Sequence, residues 1–205
     1  MLTPFLKKKG NVVVVNYDEE AISLCKQGKS QGLEFLIQRY QMKAMRVAFL
    51  VLGDHTTSED VVQESFVRAW NAMKDFKDGA AFSPWFMRIV INTAHMHQRT
   101  IARHPTTSLG QFTTDDAVFA TQTSDPHLFA EQAELRSTIM HALAMLTAVQ
   151  RTAVVLHYYG GYTASEIAQI VGCREDAARR RIHDGLATLK RIMEQQSSLP
   201  EKLHS

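Results

Sequence analysis

The sequence predicts an all-α protein, two small helical domains joined by a flexible linker, the second domain containing a helix-turn-helix. Three observations lead there. Apolar residues recur at steps of three and four from Leu33 onward and again from Leu135 onward, as amphipathic helices require. Between these stretches, residues 104–126 (HPTTSLGQFTTDDAVFATQTSDP) are rich in Thr, Ser, Asp, Gly and Pro and hold no sustained helical period. Near the end of the chain a short apolar helix, a glycine and a longer arginine-bearing helix follow one another in helix-turn-helix order. The expected boundaries are an N-terminal tail at 1–16, a first helical domain at 17–103, an acidic and polar linker at 104–130, a helix-turn-helix domain at 131–193 and a C-terminal tail at 194–205.

In the first domain, Leu33, Leu36, Ile37, Tyr40, Ala44, Val47, Ala48 and Val51 define a long amphipathic helix ending near Gly53. Thr56 stands three residues before Glu59, the spacing of a capping box, and opens the next helix. Val62, Phe66, Ala69 and Met73 form its apolar stripe. Asp60, Gln63, Glu64, Val67 and Asn71 occupy its other side, again at steps of three and four. Taken alone, such a face is ordinary solvation. Asp60 and Glu64 lie four residues apart, but no His or Cys on this helix stands at ligand spacing, so neither a metal site nor acid-base chemistry is expected.

A third helix follows the turn KDGAAFSPW, with Pro84 in its first turn, where a missing N–H does no harm. Phe82, Phe86, Ile89, Val90 and Thr93 point to a core. Arg88, Asn92, His95 and Arg99 line up at steps of four, three and four, a polar stripe with no nearby acid and a face suited to a phosphate backbone or exposed bases. Phe76, Phe82, Trp85 and Phe86 cluster before it and read as core aromatics. His95 and His97 are two apart and point to different sides of a helix, which argues against a shared metal.

In the second domain, Leu135, Ile139, Leu143, Leu146, Val149, Ala153 and Leu156 predict apolar helical faces. Thr163 and Glu166 then form a capping box, Ile167, Ala168, Ile170 and Val171 bury a short helix, and Gly172 makes the turn. The last helix runs from about Glu175 to Met193. Arg179, Arg180 and Arg181 sit in its N-terminal half, where a recognition helix reaches base edges and where Arg matches the two acceptors of guanine.

The formal net charge of +2 conceals a pattern. Residues 1–100 carry 13 Lys and Arg against 10 Asp and Glu, residues 101–135 one against five, and residues 136–205 nine against six. Two basic blocks therefore flank an acidic middle. No acidic residue occurs between Asp78 and Asp115, a stretch that holds Arg88, Arg99 and Arg103. No run of apolar residues is long enough to span a membrane, and the N-terminal run lacks the order of a signal peptide, so a cytoplasmic protein is expected. Two distant cysteines, Cys25 and Cys173, give no disulfide framework, and no cofactor is expected.

Together these segments resemble a bacterial RNA polymerase sigma factor of the extracytoplasmic-function (ECF) group of the sigma-70 family. FLIQRYQMKAMRVAFLVLGD followed by SEDVVQESFVRAW is similar to the family's second conserved region. The resemblance implies that Asp60, Gln63 and Glu64, with Val67 and Asn71 on the same face, dock on the clamp coiled coil of core polymerase. FSPWFMRIVINTAHMHQR resembles the segment that melts the promoter and reads the minus-ten element. It implies DNA contacts from Arg88, Asn92, His95, Arg99 and Arg103, with the loop from Lys77 to Ser83 where a flipped base is captured. The second domain is similar to the fourth conserved region, which implies reading of the minus-thirty-five element through Arg174, Ala177, Arg179, Arg180 and Arg181 and docking on the polymerase flap. It also implies an anti-sigma factor as a further partner, no enzymatic activity, and a linker that threads toward the polymerase interior.

The chain departs from the family in two places. Thr147 stands where Pro is usual, and Arg174-Glu175-Asp176-Ala177-Ala178 replaces a Ser-like cap followed by Gly-Thr-Val. Arg cannot accept from free helix N–H groups, a loss of about 1 kcal/mol; either Asp176 caps the helix one turn later, or Glu175 and Asp176 offset the loss through the helix dipole. Two rival readings are a stand-alone, dimeric helix-turn-helix regulator and a sigma-like decoy that titrates an anti-sigma factor.

Overall fold

The computed structural model describes residues 6–9, 12–15, 17–103 and 126–197. Its elements are strands β1 (Leu6–Lys9) and β2 (Val12–Val15) and helices α1 (Tyr17–Lys26), α2 (Ser30–Leu52), α3 (His55–Ala72), α4 (Phe82–Arg103), α5 (Pro126–Ala144), α6 (Ala148–Val154), α7 (Ala164–Val171) and α8 (Glu175–Ser197). A 3-10 turn (Met73–Asp75) follows α3, and a π-helical turn (Val155–Tyr159) extends α6. The two strands pair antiparallel, Leu6 opposite Val15, and add a small hairpin to the segment expected as a tail. Helix α5 begins at Pro126, inside the stretch expected as linker, with proline at the first helical position. The rest of the expected linker, residues 104–125, lies outside the described residues.

The first unit is α1 to α4. Gly32 brings α1 and α2 together: a Cβ there would lie 2.2 Å from the Ala21 carbonyl oxygen and 2.8 Å from Cys25 Sγ. Cys25 is buried and its thiol is pushed up to about 11 by desolvation, so it packs as a small apolar residue with little thiolate. Helix α2 ends at Gly53, as expected. The start of α3 differs from expectation: the N-cap is Asp54, whose carboxylate accepts from the Thr57 N–H at 2.6 Å. Asp54 combines a capping oxygen with a negative charge at the positive end of the helix dipole, and it leaves Thr56 inside the first turn. Val62, Phe66, Ala69 and Met73 are buried as expected, and Phe66 stacks near Phe86 with ring centroids 4.4 Å apart.

Helix α4 is buried on two sides. Phe82, Phe86, Val90 and Thr93 face the first unit's core, while Met87, Ile91 and Ala94 are buried as well. The second row was not anticipated, because it is covered by the second unit: α4 packs on both α3 and α7.

In the second unit, Thr147 caps α6 in a full capping box with Gln150, so the residue standing for the usual proline supplies its own start signal. The expected box of Thr163 and Glu166 opens α7, which closes at Gly172 with φ +67°, a conformation that favours glycine. Leu143, Leu146, Ala153 and Leu156 are buried, but Leu135, Ile139 and Val149 are exposed, and Met140 and Ala142 take the inward positions on α5. Arg151 ties this unit together: its guanidinium donates to the carbonyls of Leu143 (2.7 Å), Ala144 (2.8 Å) and Leu146 (3.4 Å), which close α5 and the turn after it. It also reaches the Val51 carbonyl of α2 at 3.1 Å.

Candidate protein and nucleic-acid interfaces

On α3 the expected row is present on one face. Asp60, Gln63 and Asn71 are exposed, and Val67 is 59% exposed, a large apolar side chain left in solvent. Glu64 differs from the others: Arg68 donates to its Oε1 from Nε (2.9 Å) and Nη2 (2.7 Å), and His97 Nε2 lies 2.8 Å from its Oε2. The His97 and Arg68 hydrogen bonds hold its carboxyl below the usual carboxylate range. Beside the row, between α2 and α3, lies an apolar cleft of about 400 Å³ lined by Leu33, Ile37, Val62, Phe66, Val67 and Trp70.

Along α4 the basic stripe is partly free and partly engaged. Arg88, Asn92 and Arg99 are exposed, as is Lys77 in the preceding loop. Arg103 ends the helix, and its side chain lies outside the described residues. Ser83 and His95 are half-buried against the second unit. Ser83 Oγ is 2.7 Å from Tyr162 Oη, and His95 Nε2 is 3.2 Å from Thr152 Oγ1. Thr152 already donates to the Ala148 carbonyl at 2.8 Å, so His95 donates to Thr152 and carries its proton on Nε2. Burial, then the nearby Arg99, holds His95 below the ordinary histidine value. The same seam contains Lys43 Nζ, 4.3 Å above the Tyr162 ring, and Arg46, which donates to Tyr159 Oη at 3.4 Å. Burial lowers Lys43, and Glu166 opposes that shift. His95 and His97 thus have different partners, as their spacing required.

Arg174, just before α8, and Arg179 and Arg180 on it are exposed, whereas Ala177 and Arg181 are half-buried. The first turn carries Glu175 and Asp176, which supply negative charge where no side-chain cap is available. Arg174 pairs with Asp176 at 3.5 Å, and Arg179 with Glu175 at 2.5 Å, so two of the expected base-reading arginines are held by acids in the first turn of α8. The pairs are exposed and would exchange readily for a phosphate or base partner. Among the described residues no group of three or more His, Cys, Asp or Glu could hold a metal ion, and no helix is long and apolar enough to cross a membrane.

A helical unit with an exposed basic stripe, followed by a helix-turn-helix unit with arginines at the start of its second helix, defines a two-domain DNA-binding protein. Residues 36–104 match the sigma-70 region 2 family and residues 136–189 the sigma-70 region 4 family. The RNA polymerase sigma-H factor of Pseudomonas aeruginosa is 28% identical over 171 residues, covering 80% of this chain and 88% of the relative. The ECF RNA polymerase sigma-E factor of Escherichia coli K12 is 28% identical over 173 residues, with the same coverage of 80% and 88%. Among solved structures, CnrH in complex with the cytosolic domain of CnrY has the same fold, with a TM-score of 0.65 at 22% identity over 88% of this chain and 99% of that one. The sigma factor RpoE in complex with the anti-sigma factor NepR from Bartonella quintana aligns with a TM-score of 0.59 at 20% identity, over 78% of this chain and 97% of that one. The chain belongs to the sigma-70 family of RNA polymerase sigma factors, in its ECF group.

Proposed function

We propose that this ECF sigma factor is a dissociable, non-enzymatic initiation subunit acting in the cytoplasm, with three separate working faces. The exposed row Asp60, Gln63, Glu64, Val67 and Asn71 on α3 docks on the clamp coiled coil of core RNA polymerase. Arg88, Asn92, His95, Arg99 and Arg103 on α4, with the loop from Lys77 to Ser83, hold and read the opened minus-ten strand. Arg174, just before α8, with Ala177, Arg179, Arg180 and Arg181 on it, reads the minus-thirty-five duplex while that domain rests on the flap. An anti-sigma factor is the expected regulator.

The observation that carries this reading is the coexistence, in one chain of this family, of an exposed acidic and polar row on α3 with two basic faces that lie on separate units. The engagement of Ser83 and His95 by Tyr162 and Thr152 adds to it. In the free chain two groups of the minus-ten face are occupied by the second domain, so promoter contact requires the units to part, and polymerase is what parts them. Free protein therefore binds promoter DNA weakly.

The test is association of the labelled chain with core polymerase, together with transcription from a cognate promoter. Asp60→Lys is expected to weaken association at least tenfold with the fold intact. Arg179→Ala combined with Arg181→Ala is expected to leave association unchanged and reduce transcription that depends on the upstream element. If Asp60→Lys binds polymerase as the parent does, the assignment of the α3 face is wrong.

A further inference from the structure

Glu64 belongs to the row assigned to polymerase, yet its carboxylate is held on both oxygens by side chains of its own chain. One oxygen takes both donors of Arg68, one turn along α3, and the other meets His97 on the neighbouring helix α4. The three side chains are all partly open to solvent: Glu64 is 38% exposed, Arg68 41% and His97 32%. They therefore form a surface cluster with one edge available to a partner. A glutamate has three rotatable side-chain bonds, and a free one would lose that freedom on entering an interface. Here the freedom is already lost, because two N–H groups of one guanidinium converge on one oxygen and an imidazole from a second helix meets the other.

The geometry points to His97 as a positioning residue for polymerase docking: from α4 it holds the Glu64 carboxylate on α3 in the orientation that the polymerase contact uses. This inference rests on the assignment of the α3 row to polymerase. It assigns His97 no contact with polymerase of its own. Two consequences follow from the residues involved. The helix that carries Arg88, Asn92 and Arg99 toward the opened strand also sets the geometry of the polymerase-facing helix, so a displacement of α4 by DNA is felt at Glu64. In addition, charge reversal is a clean perturbation at Asp60 but not at Glu64, where a lysine would sit between Arg68 and His97 and repel at least one of them.

The experiment is a fluorescence titration of full-length labelled protein with purified core polymerase, for the parent, Glu64→Gln, His97→Ala, His97→Gln and the double variant Glu64→Gln/His97→Ala. Glutamine at 97 offers an N–H donor at about the reach of the imidazole Nε2 and cannot titrate. Loss of pre-organisation for one rotamer-rich side chain corresponds to roughly a three- to tenfold weaker Kd, the result expected for His97→Ala. His97→Gln is expected to restore affinity to within about twofold of the parent. In the Glu64→Gln background, His97→Ala is expected to add no further loss, because there is no carboxylate left to orient. Thermal melting of each variant, followed by helix signal, separates these effects from unfolding. Equal affinity of His97→Ala and parent, failure of glutamine to rescue a folded His97→Ala phenotype, or additive losses in the double variant would each overturn the inference. If Glu64→Gln itself binds like the parent, the assignment of Glu64 to polymerase falls and the inference falls with it. If Glu64→Gln is weak and His97→Ala is not, only the inference fails.

Discussion

The seam between the two helical units is set by few polar contacts, and Tyr162 is central to them. It is 4% exposed, its hydroxyl is 2.7 Å from Ser83 Oγ, and its ring lies under Lys43 Nζ at 4.3 Å. Tyr162→Ala would also empty the space against Gly160, where the ring packs, and would damage the second unit itself. Tyr162→Phe removes only the hydroxyl and keeps the ring in place. The lost hydrogen bond is worth about 1 kcal/mol net, which favours parted over closed units by roughly fivefold. Dyes on cysteines introduced at the exposed Lys74 and Lys190, with Cys173→Ser removing the more accessible native thiol, would report the separation by single-molecule energy transfer. The low-transfer population is expected to rise about fivefold in Tyr162→Phe, by at most that factor in Ser83→Ala, where the tyrosine hydroxyl still lies 3.5 Å from the Ser83 carbonyl, and by no more than in Tyr162→Phe in the double variant. The free Tyr162→Phe chain should also bind a minus-ten single strand more tightly than the parent, since Ser83 is released. Unchanged energy transfer in both single variants, or effects that add in the double variant, would refute the claim that this contact holds the units closed.

Other perturbations have equally definite outcomes. Arg151→Met leaves the carbonyls of Leu143 and Ala144 without their donors and is expected to cost about 2–4 kcal/mol, measured as a lower denaturation midpoint. Thr147→Ala removes the cap of α6 and should cost about 1 kcal/mol by the same measurement. For His95 the folded value lies below the ordinary one, so the unfolded chain binds the proton first. Stability is thus lost as pH falls through about 6.5 toward the folded value, and denaturation between about pH 7.5 and about pH 5.5 should show a smaller slope in His95→Gln, which keeps a donor for Thr152. Glu64 acts in a lower window: its contribution is present above the ordinary carboxylate value and disappears as pH falls below it through the depressed folded value.

Much of this arrangement is legible from residue spacing, because amphipathic periodicity reports burial against near neighbours. The stripe from Val62 to Met73, the helix end at Gly53 and the cap at Thr163 depend on local rules and occur as expected. What spacing does not convey is contact made across a linker. Met87, Ile91 and Ala94 repeat at helical steps in the same row as Ser83, a signal visible in the sequence, yet nothing local says that a second unit covers that row. Sequence spacing points to Thr56 and Glu59 rather than to Asp54, although Asp ranks above Thr as an N-cap. The inward choice on α5 was misread for a different reason. Leu135, Ile139 and Leu143 keep one helical row, but only its Leu143 end is covered, together with Met140 and Ala142 beside it, and periodicity alone does not say how far along a helix a neighbour reaches. In the candidate site, the row on α3 was readable as a face. The locking of Glu64 by His97 was not, since the two lie 33 positions apart and meet only when α3 and α4 pack.

Run-off transcription with purified core RNA polymerase, this protein and a promoter library tests the central claim most directly. The account predicts promoter-specific transcripts that require the protein and disappear with Asp60→Lys. No promoter-specific transcript from any template, with the protein still able to bind an anti-sigma factor, would contradict it and leave a decoy with a sigma fold.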